Sequence, residues 1–363
     1  MRGLRHFTRV PGPRREHGVA LIIALILVAL AAILATKLSF DGWIERRRTI
    51  SIMATEQAFH FGMGAEALAA DVLTQSQQGV QLGPNGQPLA GSTGTNSNTG
   101  ATTSGSSGQV TLAQAWAQPT QPMPITPEDN PEGEPIGVLQ GALEDMQGRF
   151  NLNNLAHVVQ GQNGQVIQDP VPLAQFQRLL VGVGLEPKWA GMARDWIDAD
   201  DQPGEPDGAE DSVYTSQTPP YRTGNWPMMN PSELMNMPGF GADRYRKIAP
   251  YVTALPTATA KINICTAPAP VLQSFAENLG SDYTPELLTA ERKSGCFPDK
   301  PTFANVLGPK AVASLQNYYD DKSTYFRLTT RVTLGTTEFT LYSLLYRTAG
   351  GKVTPLLRTF GTP

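Results

Sequence analysis

Residues 195 to 211 read Asp195-Trp-Ile-Asp198-Ala-Asp200-Asp201-Gln-Pro-Gly-Glu205-Pro-Asp207-Gly-Ala-Glu210-Asp211, eight carboxylates in seventeen residues with no basic residue among them. Like charges crowded into a compact loop repel one another unless a cation neutralises them. Hard carboxylate oxygens on a loop broken by glycine and proline favour calcium over transition metals. The expected ligands are Asp198, Asp200, Asp201, Glu210 and Asp211. An EF-hand is excluded: counting from Asp198, the sixth position is Pro203 where glycine is needed, and the twelfth is Ala209 where glutamate is needed. The competing reading is an acidic loop that is merely solvated.

Catalytic signatures are missing. There is no Gly-x-Ser-x-Gly, His-Glu-x-x-His, phosphate-loop or Cys-x-x-Cys pattern. The four histidines, His6, His17, His60 and His157, are scattered, and none has a nucleophile or an orienting partner close in sequence. Cys265 and Cys296 lack zinc-site spacing and neighbouring histidines. In an oxidising compartment a single disulfide is their simplest use. Ser232-Glu-Leu-Met-Asn-Met-Pro-Gly239-Phe-Gly241-Ala-Asp-Arg244-Tyr-Arg246-Lys247-Ile248 resembles a helix-hairpin-helix, whose Pro-Gly-x-Gly turn offers backbone N–H groups to a DNA phosphate. Against that reading stands the charge. Of 28 basic and 32 acidic residues, five and one fall in residues 1–18, so the remainder carries 23 and 31, a net −8. A surface that acidic is a poor partner for nucleic acid, and packing of helices is the better use of the segment.

The elements that must position these residues begin at an apolar run. Val19 to Thr36 are eighteen residues without a charge, about 27 Å of helix and close to a bilayer's hydrocarbon thickness. Arg2, Arg5, Arg9, Arg14 and Arg15 precede it, so the positive-inside rule keeps the N-terminus in the cytoplasm and exports the rest. An ordinary signal peptide would be cut near Ala31 or Ala35. The residues beyond the apolar run argue against one: no proline occurs before Pro84, and Ile50, Met53, Ala54, Ala58, Phe61, Ala65, Leu68 and Val72 recur at helical steps. The spacing predicts one helix from about Val19 to Gln75, roughly 85 Å long.

A basic leader ending in Gly18, an apolar helix starting at once and an amphipathic continuation together resemble a type IV prepilin-like precursor. In that family a membrane peptidase cuts after the glycine and the new N-terminus is methylated, which implies a cut between Gly18 and Val19. Pilin-like proteins usually carry glutamate at mature position five, where this chain has Ile23. Within the superfamily that absence is typical of the K subunit, the large minor pseudopilin of type II secretion systems. Five blocks in the rest of the chain also look like K-family sequence, in the expected order: Gly148–Leu155, Asp195–Asp200, Pro220–Asn225, Ser232–Gly239 and Ile262–Ala267.

The resemblance implies an α+β pseudopilin fold, a long N-terminal helix with an antiparallel sheet, carrying a large inserted α-helical domain. The expected organisation is a leader over 1–18, a transmembrane and amphipathic helix over 19–78, and a Gly/Ser/Thr/Asn linker over 79–108 that cannot bury enough surface to fold. The sheet's first part comes next over 109–150, then the insertion over 151–318 and the last strands over 319–363. A short helix is expected around Thr111–Ala117 and a hairpin of two short strands over Ile136–Phe150. Strands are expected at Tyr325–Leu334, Thr337–Arg347 and Val353–Arg358, with turns at Gly335 and Gly350–Gly351. The function implied is structural, not enzymatic: a single-pass inner-membrane subunit with its bulk in the periplasm, capping the tip of a short pseudopilus. The implied partners are the I and J minor pseudopilins, the major pseudopilin and the prepilin peptidase, with calcium at the acidic loop and no nucleic acid. A minor pilin of a type IV pilus or DNA-uptake machine is the alternative.

Overall fold

The computed structural model describes residues 17–77, 108–127, 130, 132–161, 164–277, 279 and 282–361. The leader up to residue 16 and residues 79–107 of the expected linker lie outside them. Two compact units result, Met1–Gln57 and Ala58–Pro363. With no proline to interrupt it, helix α1 runs over His17–Gln77, starting two residues earlier and ending two later than the spacing predicts. In the first unit its apolar side chains from Val19 to Leu38 are all exposed.

The second unit is built on an antiparallel sheet. Its strands are β1 (Met123–Ile125), β2 (Gly137–Asp145), β9 (Tyr325–Leu334), β10 (Thr337–Arg347) and β11 (Val353–Phe360), side by side in that order. β9 and β10 start and end where alternation places them, and Gly335, at φ +55°, makes the tight link between them. The expected hairpin over Ile136–Phe150 does not form. β2 continues straight through Gly141 and pairs with β9, from Gly137 against Leu334 to Asp145 against Phe326. With a partner strand alongside, Gly141 is accommodated in mid-strand. The helix expected at Thr111–Ala117 shrinks to a 3-10 turn, Ala115–Ala117, whose Trp116 is buried edge-on against Phe326.

Ala58–Gln77, the end of α1, lies on this sheet through Ala58, Ala65, Ala69 and Leu73. This face differs from the expected one: Phe61 and Leu68 point away, 36% and 54% exposed. Small residues let the helix backbone sit close to the strands, where a Cβ on Gly62 would already lie 3.0 Å from Leu341 Cδ2. Buried polar groups fix the docking. Glu66 accepts from both Nε and Nη2 of Arg358 (2.8 and 2.7 Å) and from the Ser343 hydroxyl, while Arg347 Nη1 donates to Leu73 O at 3.0 Å.

Between β2 and β9 the chain leaves the sheet and builds a second core. Its helices are α2 (Pro170–Gly182), α3 (Trp189–Ile197), α4 (Asp211–Tyr214), α5 (Gly241–Ile248), α6 (Ala269–Gln273), α7 (Pro285–Glu291), α8 (Lys300–Leu307) and α9 (Pro309–Leu315). Three two-stranded ladders join them: β3 (Phe150–Asn151) with β6 (Val252–Thr253), β4 (Val158–Gln160) with β5 (Val166–Gln168), and β7 (Ile262–Asn263) with β8 (Tyr319–Asp320). One continuous cluster of buried side chains, from Phe150 to Tyr319, fills the interior. Where strands are this short, buried amides take over their work. Asn153 donates to Met228 O and Leu255 O, both at 2.9 Å, and accepts from Met228 N at 2.8 Å.

Candidate metal centre

Helix α3 sets up the acidic loop. Its amphipathic face buries Trp189, Ala193, Trp196 and Ile197 in the second core, so the helix must end at the surface just as the carboxylates begin. Asp195 is fully buried and acts as the loop's internal template: its Oδ2 accepts from Gly204 N and Ala209 N, both at 2.9 Å. Gly208 has to be glycine here. A Cβ would collide with Asp195 Oδ2 and with the backbone of Gly204. Folding the loop back on Asp195 carries Glu210 round to face Asp198.

Three of the five expected ligands converge. One carboxylate oxygen each from Asp198, Asp200 and Glu210 lies within 4.8 Å of the others. Oxygens sharing one calcium at 2.3–2.6 Å can be no more than about 5 Å apart, so the spacing fits a shared ion. Asp198 and Glu210 are 9% and 3% exposed, and Asp198 Oδ1 and both oxygens of Glu210 lack a well-aligned hydrogen-bond donor, the Thr223 hydroxyl near Glu210 being turned to Asp211 at 3.0 Å. The other Asp198 oxygen accepts from Gln168 at 2.8 Å. Burial, then the charges of Asp195 and Asp198, pushes Glu210 up to about 7. Burial above all, with Asp195 and Asp200 adding to it, pushes Asp198 up to about 6. Orphaned buried carboxylate oxygens are costly, and a cation is what relieves both the orphaning and the repulsion.

Asp201 and Asp211 are not brought to this point. The Asp201 carboxylate accepts from Asn225 Nδ2 at 3.1 Å, and Asp211 accepts from Thr223 N and Oγ1 at 3.1 and 3.0 Å with Arg222 beside it at 3.3 Å. Both brace the neighbouring loop. Asn225 is a residue that the sequence did not single out: it holds φ +43°, its amide nitrogen bonds Asp201, and its Oδ1 is buried without a donor. A lone asparagine in a loop carries no signal of this, since only the fold brings residue 225 beside residue 200.

Elsewhere, Cys265 and Cys296 are bonded to each other, with Cα atoms 4.5 Å apart. Arg292 clasps the pair by donating to Ile264 O and Phe297 O, each at 2.7 Å. The helix-hairpin-helix-like turn is engaged from within. Arg244 donates to Gly239 O at 2.8 Å and Phe240 O at 3.2 Å and lies 5.3 Å over the Trp189 ring, while Arg246 pairs with Asp243. His157 does have a partner that sequence distance hid. Its Nδ1 is 2.8 Å from Asp169 Oδ2, which accepts from Tyr318 OH while Oδ1 caps α2 through Val171 N. The duty of Asp169 to the helix terminus makes this a structural trio.

The profile of the family "Type II secretion system (T2SS), protein K" matches residues 148–257, which include the whole acidic loop. The chain is 30% identical to the type II secretion system protein K of Aeromonas hydrophila, across 97% of this chain and 99% of that one. The protein of the same name from Pseudomonas aeruginosa is also 30% identical, across 96% and 94%. Among solved structures, the fold matches a chain of the GspK-GspI-GspJ complex from the enterotoxigenic Escherichia coli type 2 secretion system with a TM-score of 0.66. That match has 24% identity and covers 87% of this chain and all of that one.

Proposed function

The chain belongs to the type II secretion system protein K family and is a minor pseudopilin of that system, and from this premise we propose that it caps the tip of the periplasmic pseudopilus. Ile23 carries the reading. In pilin-like assemblies the glutamate at mature position five is buried among helices, where it meets the N-terminal amine of a neighbouring subunit. Without that amine, its burial would cost several kcal/mol. A subunit with nothing above it has no amine to meet, and an apolar side chain is then the favourable choice. The second core between β2 and β9 supports the same assignment, since a pilin-like subunit stacked above would have to accommodate it.

The rest of the proposal comes from the family. Cleavage after Gly18 gives a methylated Val19, and α1 crosses the inner membrane once with the N-terminus in the cytoplasm and the bulk in the periplasm. The partners are counterparts of the I and J subunits with which the E. coli relative is assembled, together with the major pseudopilin and the prepilin peptidase. Asp198, Asp200 and Glu210 would hold calcium, which would supply structural rigidity and no chemistry. Electron cryo-microscopy of assembled pseudopili, with site-specific crosslinking from position 23, tests the tip assignment. One copy at the filament end is expected; copies along the shaft with a pilin-like neighbour on both sides would overturn it.

A further inference from the structure

The part of α1 just beyond the apolar run carries a feature that pseudopilus assembly does not account for. Lys37, Arg46, Arg47 and Arg48 lie past the span, against only Asp41 and Glu45, so the stretch is basic while the chain beyond residue 18 is acidic as a whole. All of these residues are exposed. Consecutive residues on a helix are rotated by about 100°, so three arginines in a row surround more than half of the helix circumference. That arrangement is a collar. It does not read as a stripe suited to one partner helix. Arg48 has Glu45 at 3.6 Å in an exposed pair, which contributes little, and among the described residues Arg46 and Lys37 have no acidic partner.

Direction matters as much as composition. Helical side chains lean toward the N-terminal end of their helix, and here that end enters the membrane. Arg47 shows this: its guanidinium lies 4.7 Å from the centroid of the Trp43 ring, one turn nearer the span. Trp43 in turn stacks on Phe40, with ring centroids 6.2 Å apart. The sequence therefore runs from apolar residues through two aromatics to three arginines, of which Arg47 and Arg48 reach back to Trp43 and Glu45. Aromatic rings settle at the headgroup level, and arginines beyond them snorkel back to reach phosphates. Arginine's planar fork matches a phosphate diester better than lysine's point charge does.

We propose that Phe40, Trp43 and Arg46–Arg48 form a collar that binds anionic phospholipid headgroups, of the phosphatidylglycerol class, at the outer face of the inner membrane. This rests on the single-pass reading of α1. Its consequence is a fixed depth for the helix before assembly, and a set of lipid contacts that must break when the subunit leaves the bilayer.

The test uses the chain from Val19 onward, without the arginine-rich leader, in nanodiscs of equimolar phosphatidylglycerol and phosphatidylethanolamine, with the retained lipids counted by native mass spectrometry. Since each basic residue at an anionic surface is worth about a fivefold preference, the wild-type chain should retain phosphatidylglycerol over phosphatidylethanolamine by at least about fivefold. Arg46→Gln/Arg47→Gln/Arg48→Gln should bring the two lipids close to parity, and Asp41→Asn/Glu45→Gln should widen the preference. Equal retention by the wild type, or an undiminished preference in the triple variant, would overturn the collar while leaving the anchor in place. Release of the wild type from native membranes by alkaline carbonate would overturn both.

Discussion

Among the carboxylates of the acidic loop, buried oxygens without a donor set Asp198 and Glu210 apart from the rest, Asp200 being exposed. Asp198 and Glu210 are turned inward with unpartnered oxygens, whereas Asp201 and Asp211 are already engaged by Asn225 and Thr223. Calorimetric titration of the full chain should therefore show calcium uptake that Asp198→Asn/Glu210→Gln weakens at least about tenfold, since affinity depends on ligand charge. Asp201→Asn should leave it nearly unchanged, and full uptake by the double variant would remove the site. A ligand that binds only the folded chain also stabilises it, by about 2.7 kcal/mol at a hundred times its dissociation constant. The loop as a whole was legible from eight carboxylates without a counter-charge. Which of them face inward was not, because that depends on Asp195 folding the loop round its own carboxylate, and on Gln168 and Asn225 arriving from distant segments.

At the scale of elements, the C-terminal strands were readable because each shows strict alternation or a β-rich run between glycine turns. The strand over Gly137–Asp145 was not read correctly, because its ladder partner enters only after the whole second core has been built. Helix α1 was found from its lack of proline, but not the face it turns to the sheet, since small residues rather than large ones make that contact. In the second core the elements are short, and cross-links hold what helix length cannot. The Cys265–Cys296 bridge closes a separation of 31 residues, and chain-entropy arguments put its contribution at about 3–4 kcal/mol. Urea unfolding of Cys265→Ala/Cys296→Ala should show a loss of that size. An unchanged midpoint would show that Arg292 and the surrounding packing suffice without it.

For the molecule as a whole, the proposed cleavage after Gly18 would define the mature chain. Intact-mass analysis of membrane-extracted protein should find a chain beginning at a methylated Val19; a start after Ala31 or Ala35 would indicate an ordinary signal peptide and remove the basis for the pilin-like reading. The same view brings out the knot where the second core joins the sheet. Asp145, at the last position of β2, accepts from Asn263 at 2.8 Å and from Thr266 and Ser323 at 2.7 Å, and Asn263 also donates to Val110 O at 3.0 Å. Departing and returning chain are thus tied at one buried carboxylate, and Asp145 stands opposite Phe326 in the sheet. Two neighbouring antiparallel strand ends are the geometry that a turn of a few residues closes. In evolutionary terms, residues 146–324 are a graft on a pedicle: a lineage could gain, enlarge or discard the graft while every strand of the rootstock kept its neighbours.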